Sequence, residues 1–200
     1  MAKPDRPLRA DAQRNRERLL EVAVRAFSQE GPDVPLDAIA KGAGVGIGTL
    51  YRHFPTREAL VEAAYRNELA RLCDAAPALL RELPPDVALR TWMDRFVDYM
   101  TTKRGMLGAL RAVIASGGNP FAESMERMTE AITTLLDAGV AAGTVRSDIA
   151  PGDVLTGLSG VSLAAGQPDQ RDQARRVLDL LMDGVRHRHP PQQDPTSTGL

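Results

Sequence analysis

Residues 36–54 constrain what this chain can fold into more than any others. They read Leu-Asp-Ala-Ile-Ala-Lys-Gly-Ala-Gly-Val-Gly-Ile-Gly-Thr-Leu-Tyr-Arg-His-Phe. Ile39, Ala40 and Ala43 put small and apolar groups on one face of a short helix. Gly44 follows where a tight turn between two helices needs a positive φ, which glycine adopts without steric cost. Val45 and Leu50 are spaced to pack back on Ile39 and Ala40, and the small Ala40 lets the two helices cross closely. Thr49, Tyr51, Arg52 and His53 carry hydrogen-bonding tips that cannot all turn into so small a core. A short helix with buried Leu50 and Phe54 and such an outward face fits the major groove of DNA. An ordinary helical hairpin is the alternative, and the density of polar tips stands against it.

The run Ala-Gly-Val-Gly-Ile-Gly-Thr-Leu-Tyr-Arg-His-Phe-Pro-Thr-Arg-Glu-Ala-Leu at 43–60 resembles the DNA-binding signature of the TetR family of bacterial regulators. The resemblance covers about residues 13–65 and depends on helix count and length beyond that. It departs from the family at Gly46, where many members carry a hydroxyl, and at Pro35, near a frequent Ser or Thr cap. The resemblance implies that the residues at Tyr51 and His53 touch the phosphate backbone, which positions without specifying sequence. Thr49 and Arg52 are the candidates for base edges, since arginine can bond guanine bidentately and the threonine methyl can meet thymine. Gly48 lets the backbone approach a phosphate, Gly46 is counted among the DNA-binding positions although it lacks the hydroxyl contact, and Lys41 and Arg57 are expected to clamp flanking phosphates.

The charge distribution agrees with a DNA-binding head. The chain's net charge is −1, but residues 1–57 hold ten Lys/Arg against seven Asp/Glu, a net of +3, leaving −4 for the rest. A basic head on an acidic body turns the N-terminal end toward a polyanion. The 200 residues, 43% of them hydrophobic and 4% aromatic, suffice for a core built of Ala, Leu, Val and Met. No apolar run reaches the roughly 20 residues a membrane span needs. Lys3, Arg6 and Arg9 are not followed by the apolar stretch of a signal peptide. Cys73, the single cysteine, rules out an internal disulfide framework and suits a reducing cytoplasm.

Along the chain, residues 1–11 hold two prolines and three basic residues and are expected to form a flexible arm. Such an arm either reaches phosphates or an adjacent minor groove, or stays solvated. Leu19, Leu20, Ala23, Ala26 and Phe27 predict a helix from Asp11 to Glu30, stopped by Gly31 and Pro32. It would be the third wall of a helix-turn-helix domain at 12–55. Pro55-Thr56 breaks the second motif helix and caps a connector helix reaching about Leu83, with buried Val61, Ala64, Tyr65, Leu69 and Leu72 and a kink or split at Pro77. Helical patterns continue to about 188. One spans about sixteen residues around Leu89–Met100, one Gly105–Ser116, one runs from Phe121 to near Gly143, and two cover 151–165 and 169–187. This predicts an all-α chain of about nine helices with a body at 56–188. The segment 189–200 lacks a core pattern and is expected to be disordered.

If the resemblance holds, the body dimerises and holds a small-molecule effector. Small residues and wide apolar stripes in the last two helices suggest a four-helix dimer seam using Leu155, Leu158, Val161, Val177, Leu178, Leu181 and Met182. Closure of each protomer's own core is the competing reading of the same stripes. The pocket candidates are Trp92, Phe96, Tyr99, Met100, Met106, Leu110, Phe121, Met125 and Met128, because methionine lines adaptable apolar cavities. Core packing competes here too. Catalysis is not expected: His53 belongs to the motif, and His187 and His189 lack companions at metal-ligand spacing. No phosphate loop, dinucleotide fingerprint or nucleophile elbow appears, Cys73 has no histidine near it in sequence, and no cofactor is expected. The whole predicts a homodimeric, ligand-responsive repressor of a pseudo-palindromic operator. The readings of other classes are a ligand- or partner-binding protein with a vestigial DNA head, which the intact Thr49–His53 cluster disfavours, and an architectural DNA binder without an effector.

Overall fold

The computed structural model describes residues 6–164 and 170–186, without the side chains of 6–9. Among the described residues there are nine helices: α1 (Arg6–Gln29), α2 (Leu36–Gly42), α3 (Ile47–His53), α4 (Arg57–Glu82), α5 (Pro85–Gly105), α6 (Leu107–Ala115), α7 (Ser124–Ala141), α8 (Pro151–Ala164) and α9 (Arg171–Val185). The described residues contain no strand, only an isolated antiparallel bridge between Val145 and Arg186. The contacts group the chain into two compact units, Met1–Ala75 with Arg95–Met128, and Ala76–Asp94 with Thr129–Leu200. The line expected at 55–56 is not where contacts thin out, since α4, α5 and α7 each run from one unit into the other.

In the first unit, α1, α2 and α3 close a small core of Leu19, Leu20, Ala23, Phe27, Ile39, Ala40, Leu50 and Phe54. Val45 is half-buried at its edge. The Thr56 hydroxyl accepts the Ala59 N–H at 3.1 Å, which caps α4 as the sequence suggests. All five residues expected in the α4 stripe, Val61, Ala64, Tyr65, Leu69 and Leu72, are buried. Pro77 does not split this helix. Its ring faces solvent, where water can reach the carbonyl it leaves without a donor, while Ala76 and Leu79 are buried on either side.

Several boundaries differ from expectation. α1 starts at Arg6, inside the supposed arm, because a proline in the first helical turn costs no intrahelical hydrogen bond; residues 1–5 lie outside the described part. α5 is 21 residues long rather than about sixteen. Phe121 lies in the turn before α7, not on it, and its ring meets Tyr65 edge-on at 5.2 Å. The expected disordered end at 189–200 lies outside the described residues.

In the second unit α8 and α9 pack through Val154, Leu155, Leu158 and Val161 against Ala174, Leu178, Met182 and Val185. Leu181 packs against the α8 backbone at Gly157, where an added Cβ would sit 3.4 Å from it. Arg90, in the second turn of α5, fastens that helix to α9 by pairing with Asp179 at 2.8 Å, and pairs with Asp94 on its own helix at 2.7 Å.

Candidate nucleic-acid interface

The turn between α2 and α3 is built by backbone alone. Gly44 has φ +69°. Its N–H bonds the Lys41 carbonyl at 3.0 Å, and the Val45 N–H bonds the Ala40 carbonyl at 3.0 Å. These two bonds satisfy carbonyls that the end of α2 would leave bare, and they need the left-handed residue that glycine supplies. The chain then turns back at Gly46, which is extended (φ −73°, ψ 150°) and opens α3. Its carbonyl accepts the Thr49 N–H at 2.9 Å and the Leu50 N–H at 3.3 Å. Pro35 and Gly46 provide no side-chain cap, so the first amides of both motif helices lack a side-chain acceptor.

α3 splits into two faces as its sequence suggests. Leu50 and, just beyond the helix, Phe54 are buried. Gly48 and Arg52 are exposed, Tyr51 is 48% exposed, and Thr49 and His53 are half-buried at the sides. Arg52 and His53 occupy the last turn, where positive charge is favoured by the helix dipole. Lys41 is exposed in the last turn of α2. Lys41, Gly46, Gly48, Thr49, Tyr51, Arg52 and His53 therefore all lie on this turn and its two helices.

Arg57, expected as a phosphate clamp, has a structural use as well: its Nη1 donates to the carbonyls of Pro32 at 2.9 Å and Val34 at 2.8 Å. Its guanidinium also lies 5.9 Å from the Phe27 ring centroid. The 31–35 turn presents carbonyls with no helical partner, and the two hydrogens of one guanidinium nitrogen at the start of α4 reach two of them. Two residues were missed by the sequence reading. Ile47 is exposed at the first position of α3, with no role assigned to it from sequence. Arg16 lies over the Phe54 ring at 5.5 Å, and nothing in the local pattern of α1 signals a contact 38 residues away.

The pocket candidates fall into different surroundings. Trp92 is fully buried in the second unit. Phe96, Tyr99, Met106, Leu110 and Met128 are buried in the first, Met100 and Phe121 are half-buried there, and Met125 is 65% exposed. Met125 is thus corrected from a pocket wall to a surface residue, because the first turn of α7 directs it outward. Around Tyr99 the first unit buries a hydroxyl cluster. Tyr65 Oη lies 2.7 Å from Tyr99 Oη and 2.9 Å from Ser124 Oγ. Burial, then the bond to Tyr65, pushes the Tyr99 phenol far up from its usual range. Lys103 caps this cluster, with Nζ 4.6 Å from the Phe121 ring centroid. An open groove of about 190 Å³ runs beside it between α4 and α5, bordered by Glu68, Arg71, Arg95, Asp98 and Tyr99. Burial raises the Glu68 carboxyl above its ordinary value, Arg71 opposes that shift, and the charge of Glu21 adds to it.

The dimer candidates divide as well. Leu155, Leu158, Val161, Leu178 and Met182 are buried inside their own unit, Leu181 is half-buried, and Val177 is 38% exposed. For the five buried residues core closure is what the structure shows, since an apolar stripe does not declare which partner covers it. The exposed apolar residues of these helices are Leu163 (75%), Leu180 (70%) and Val177. His187, His189 and Ala165 lie outside the described residues. No group of His, Cys, Asp and Glu able to hold a metal occurs among the described residues. No described helix is long and apolar enough to cross a membrane.

Comparison with known proteins agrees with this geometry. Residues 19–64 match the family model of bacterial regulatory proteins of the tetR family, and residues 84–187 match the C-terminal domain of SbtR-like transcriptional regulators. HTH-type transcriptional regulators of Staphylococcus aureus are 40% identical over 63 residues, covering 31% of this chain and 34% of theirs, so the chain spans about a third of the length of these curated relatives. The crystal structure of a TetR transcriptional regulator from Streptomyces coelicolor is 57% identical, with a TM-score of 0.84, covering 87% of this chain and 99% of that one. A TetR regulatory protein from Mycobacterium vanbaalenii is 37% identical, with a TM-score of 0.75, covering 90% and 99%. With both halves matched and near full-length likeness in structure, the chain belongs to the TetR family of bacterial transcriptional regulators.

Proposed function

We propose that this chain is a one-component, ligand-responsive repressor that binds a pseudo-palindromic operator as a homodimer in the cytoplasm, without catalysing a reaction. The observation that carries this reading is the outward face of α3, where exposed Tyr51 and Arg52 and half-buried Thr49 and His53 are held rigid by buried Leu50 and Phe54. Thr49 and Arg52 read bases, with Ile47 available to a thymine methyl. Tyr51, His53 and Lys41 hold phosphates, and the absent side chains at Gly46 and Gly48 let the backbone close on the strand. Arg57 supports this face from behind.

A helix of seven residues reads few base pairs, so useful specificity needs two copies about one DNA turn apart, ~34 Å. Val177, Leu180, Leu181 and Leu163 are the surface by which α8 and α9 join those copies. An effector in the body that prefers a spacing unfit for DNA weakens DNA binding by the factor by which DNA weakens its own binding. The aromatic and methionine residues from Phe96 to Met128 are where that effector is sought.

The experiment selects duplexes from random DNA with the wild-type protein, then measures anisotropy titrations on the selected and scrambled duplexes. Arg52→Ala should lose discrimination between them, and Tyr51→Ala should weaken both alike. Leu180→Glu should turn a sedimenting dimer into a monomer and abolish tight binding. Wild-type protein that selects no sequence, or an Arg52→Ala variant that discriminates as well as wild type, would overturn the reading.

A further inference from the structure

The positive excess of the head does not lie on its helix-turn-helix. Residues 19–57 hold four basic side chains (Arg25, Lys41, Arg52, Arg57) and four acidic ones (Glu21, Glu30, Asp33, Asp37). Residues 1–18 hold six basic and three acidic residues, and so account for the whole net +3. The structure carries part of this stretch on a helix. α1 is 24 residues long, but its first buried side chain among the described residues is Leu19. From Ala10 to Arg18 every side chain is exposed or half-buried, so about 13 Å of helix is polar on every side.

A helix with no apolar face gains nothing from burial and depends on its own side-chain pairs. Here these are Gln13 to Glu17 at 2.7 Å, Arg14 to Asp11, and Arg18 to Asn15, each worth only about 0.2–0.5 kcal/mol. The root of this extension is fixed beside the recognition helix. Arg16 lies over the Phe54 ring, whose centroid is 6.1 Å from that of His53 at the end of α3.

We propose that Ala10–Arg18 of α1 is a second DNA-binding element, which lies along the phosphate backbone next to the major groove that α3 enters. This rests on the reading of α3 as a recognition helix. Arg14 and Arg18 are one turn apart on one face, with Cβ atoms about 5–6 Å from each other, and they are the phosphate ligands. Arg14 is held by an exposed ion pair to Asp11, worth at most about 1 kcal/mol, and Arg18 by a single bond to the neutral Asn15 amide, so duplex phosphates displace both readily. The contact carries no sequence information. It adds salt-sensitive attraction to that of Lys41, in a head whose residues 19–57 carry no net charge.

The test titrates selected and scrambled duplexes with full-length protein between 50 and 300 mM salt. It compares wild type, the Arg14→Ala/Arg18→Ala double variant, Asp11→Asn, and Arg81→Ala. Arg81 is the control, exposed near the far end of α4. Alanine is at least as good a helix former as arginine, so the double variant keeps α1, and circular dichroism verifies it. The double variant should weaken both duplexes by a similar factor, roughly tenfold for each arginine removed at 0.1 M salt, and flatten the log–log salt slope by about one per arginine. Asp11→Asn should strengthen both, and Arg81→Ala should match wild type. A double variant that matches Arg81→Ala in affinity and slope overturns this inference and leaves the reading of α3 standing. Loss confined to the selected duplex, with the slope unchanged, also overturns it. Wild-type protein that binds neither duplex removes the reading of α3 and this inference together.

Discussion

Arg57 decides between a structural and a DNA-binding use of the same charge, and the two uses predict opposite results. Its guanidinium makes one exposed and one part-buried hydrogen bond, to the Pro32 and Val34 carbonyls. Charge-assisted bonds contribute about 1.5–3 kcal/mol each, and the exposed one belongs below that range. Arg57 opens α4, where a cation is disfavoured by the dipole by about 0.3–1 kcal/mol, so alanine recovers part of the loss. The net cost of Arg57→Ala is therefore about 2–3 kcal/mol. At roughly 2–4 °C per kcal/mol for a chain of this size, Tm should fall by on the order of 5–10 °C. Arg57→Lys should restore part of the loss, because one ammonium can donate to both carbonyls as Nη1 does but gives up the planar guanidinium near the Phe27 ring. Thermal melts of the three proteins measure this, and DNA titrations at two salt concentrations accompany them. An unchanged Tm for Arg57→Ala together with a salt slope reduced by about one per arginine would refute the reasoning and return Arg57 to the phosphates.

Tyr65→Phe removes the hydroxyl shared by Tyr99 and Ser124 and should cost about 1–3 kcal/mol in urea unfolding, because it leaves two buried groups each one partner short. Ser124→Ala, which breaks only one of those bonds, should cost less. Glu68 has its folded-state pKa raised above the ordinary 4.5, chiefly by burial, so its contribution is fully present below the unfolded pKa and is lost as pH rises through the folded one. Glu68→Gln should therefore be the more stable protein at pH 7, with the advantage vanishing below about pH 4; a constant difference across a pH series of melts would exclude this. Gly44→Ala forces a Cβ onto φ +69° and should destabilise by about 1–2 kcal/mol although no atom stands in its way. Equal melting of Gly44→Ala and wild type would show that the turn can relax to negative φ.

How far the sequence could be read depended on whether the deciding partner was local. Gly44 was legible because the αL residue of a helix end admits little else. The Thr56 cap was legible for the same kind of reason, its acceptor and donor being three residues apart. The buried stripe of α4 follows from periodicity, and the nine helices follow from Pro and Gly punctuation between apolar stripes. Arg57 was not legible, since its partners lie 23 and 25 residues away and a basic residue after a recognition helix has the same local pattern in either role. The start of α1 was hidden because Pro7 reads as a breaker, although a proline in the first helical turn costs no intrahelical hydrogen bond. α9 has two apolar faces: Ala174, Leu178, Met182 and Val185 point inward, and Val177 and Leu180 point out. A stripe over both faces names the helix that joins something, but only packing shows which residues close the protomer.

The corner between α5 and α6 explains why the head is not a bead on a string. At Gly105 an added Cβ would fall 2.7 Å from the Ser28 carbonyl oxygen, so the backbone at the end of α5 rests directly on the end of α1. At Gly108 it would fall 3.3 Å from the Pro32 ring. Pro32 is also one of the two residues whose carbonyls Arg57 holds from α4. The 31–35 turn that leads into the motif is thereby gripped from two sides, by a backbone surface with no side chain to yield and by the Arg57 guanidinium. Close-packed contacts of this kind shift as units rather than deform continuously. A displacement of either α4 or the α5–α6 corner must then be taken up by the turn that sets where α2 and α3 begin. The first compact unit therefore takes in the α5–α6 corner together with the motif.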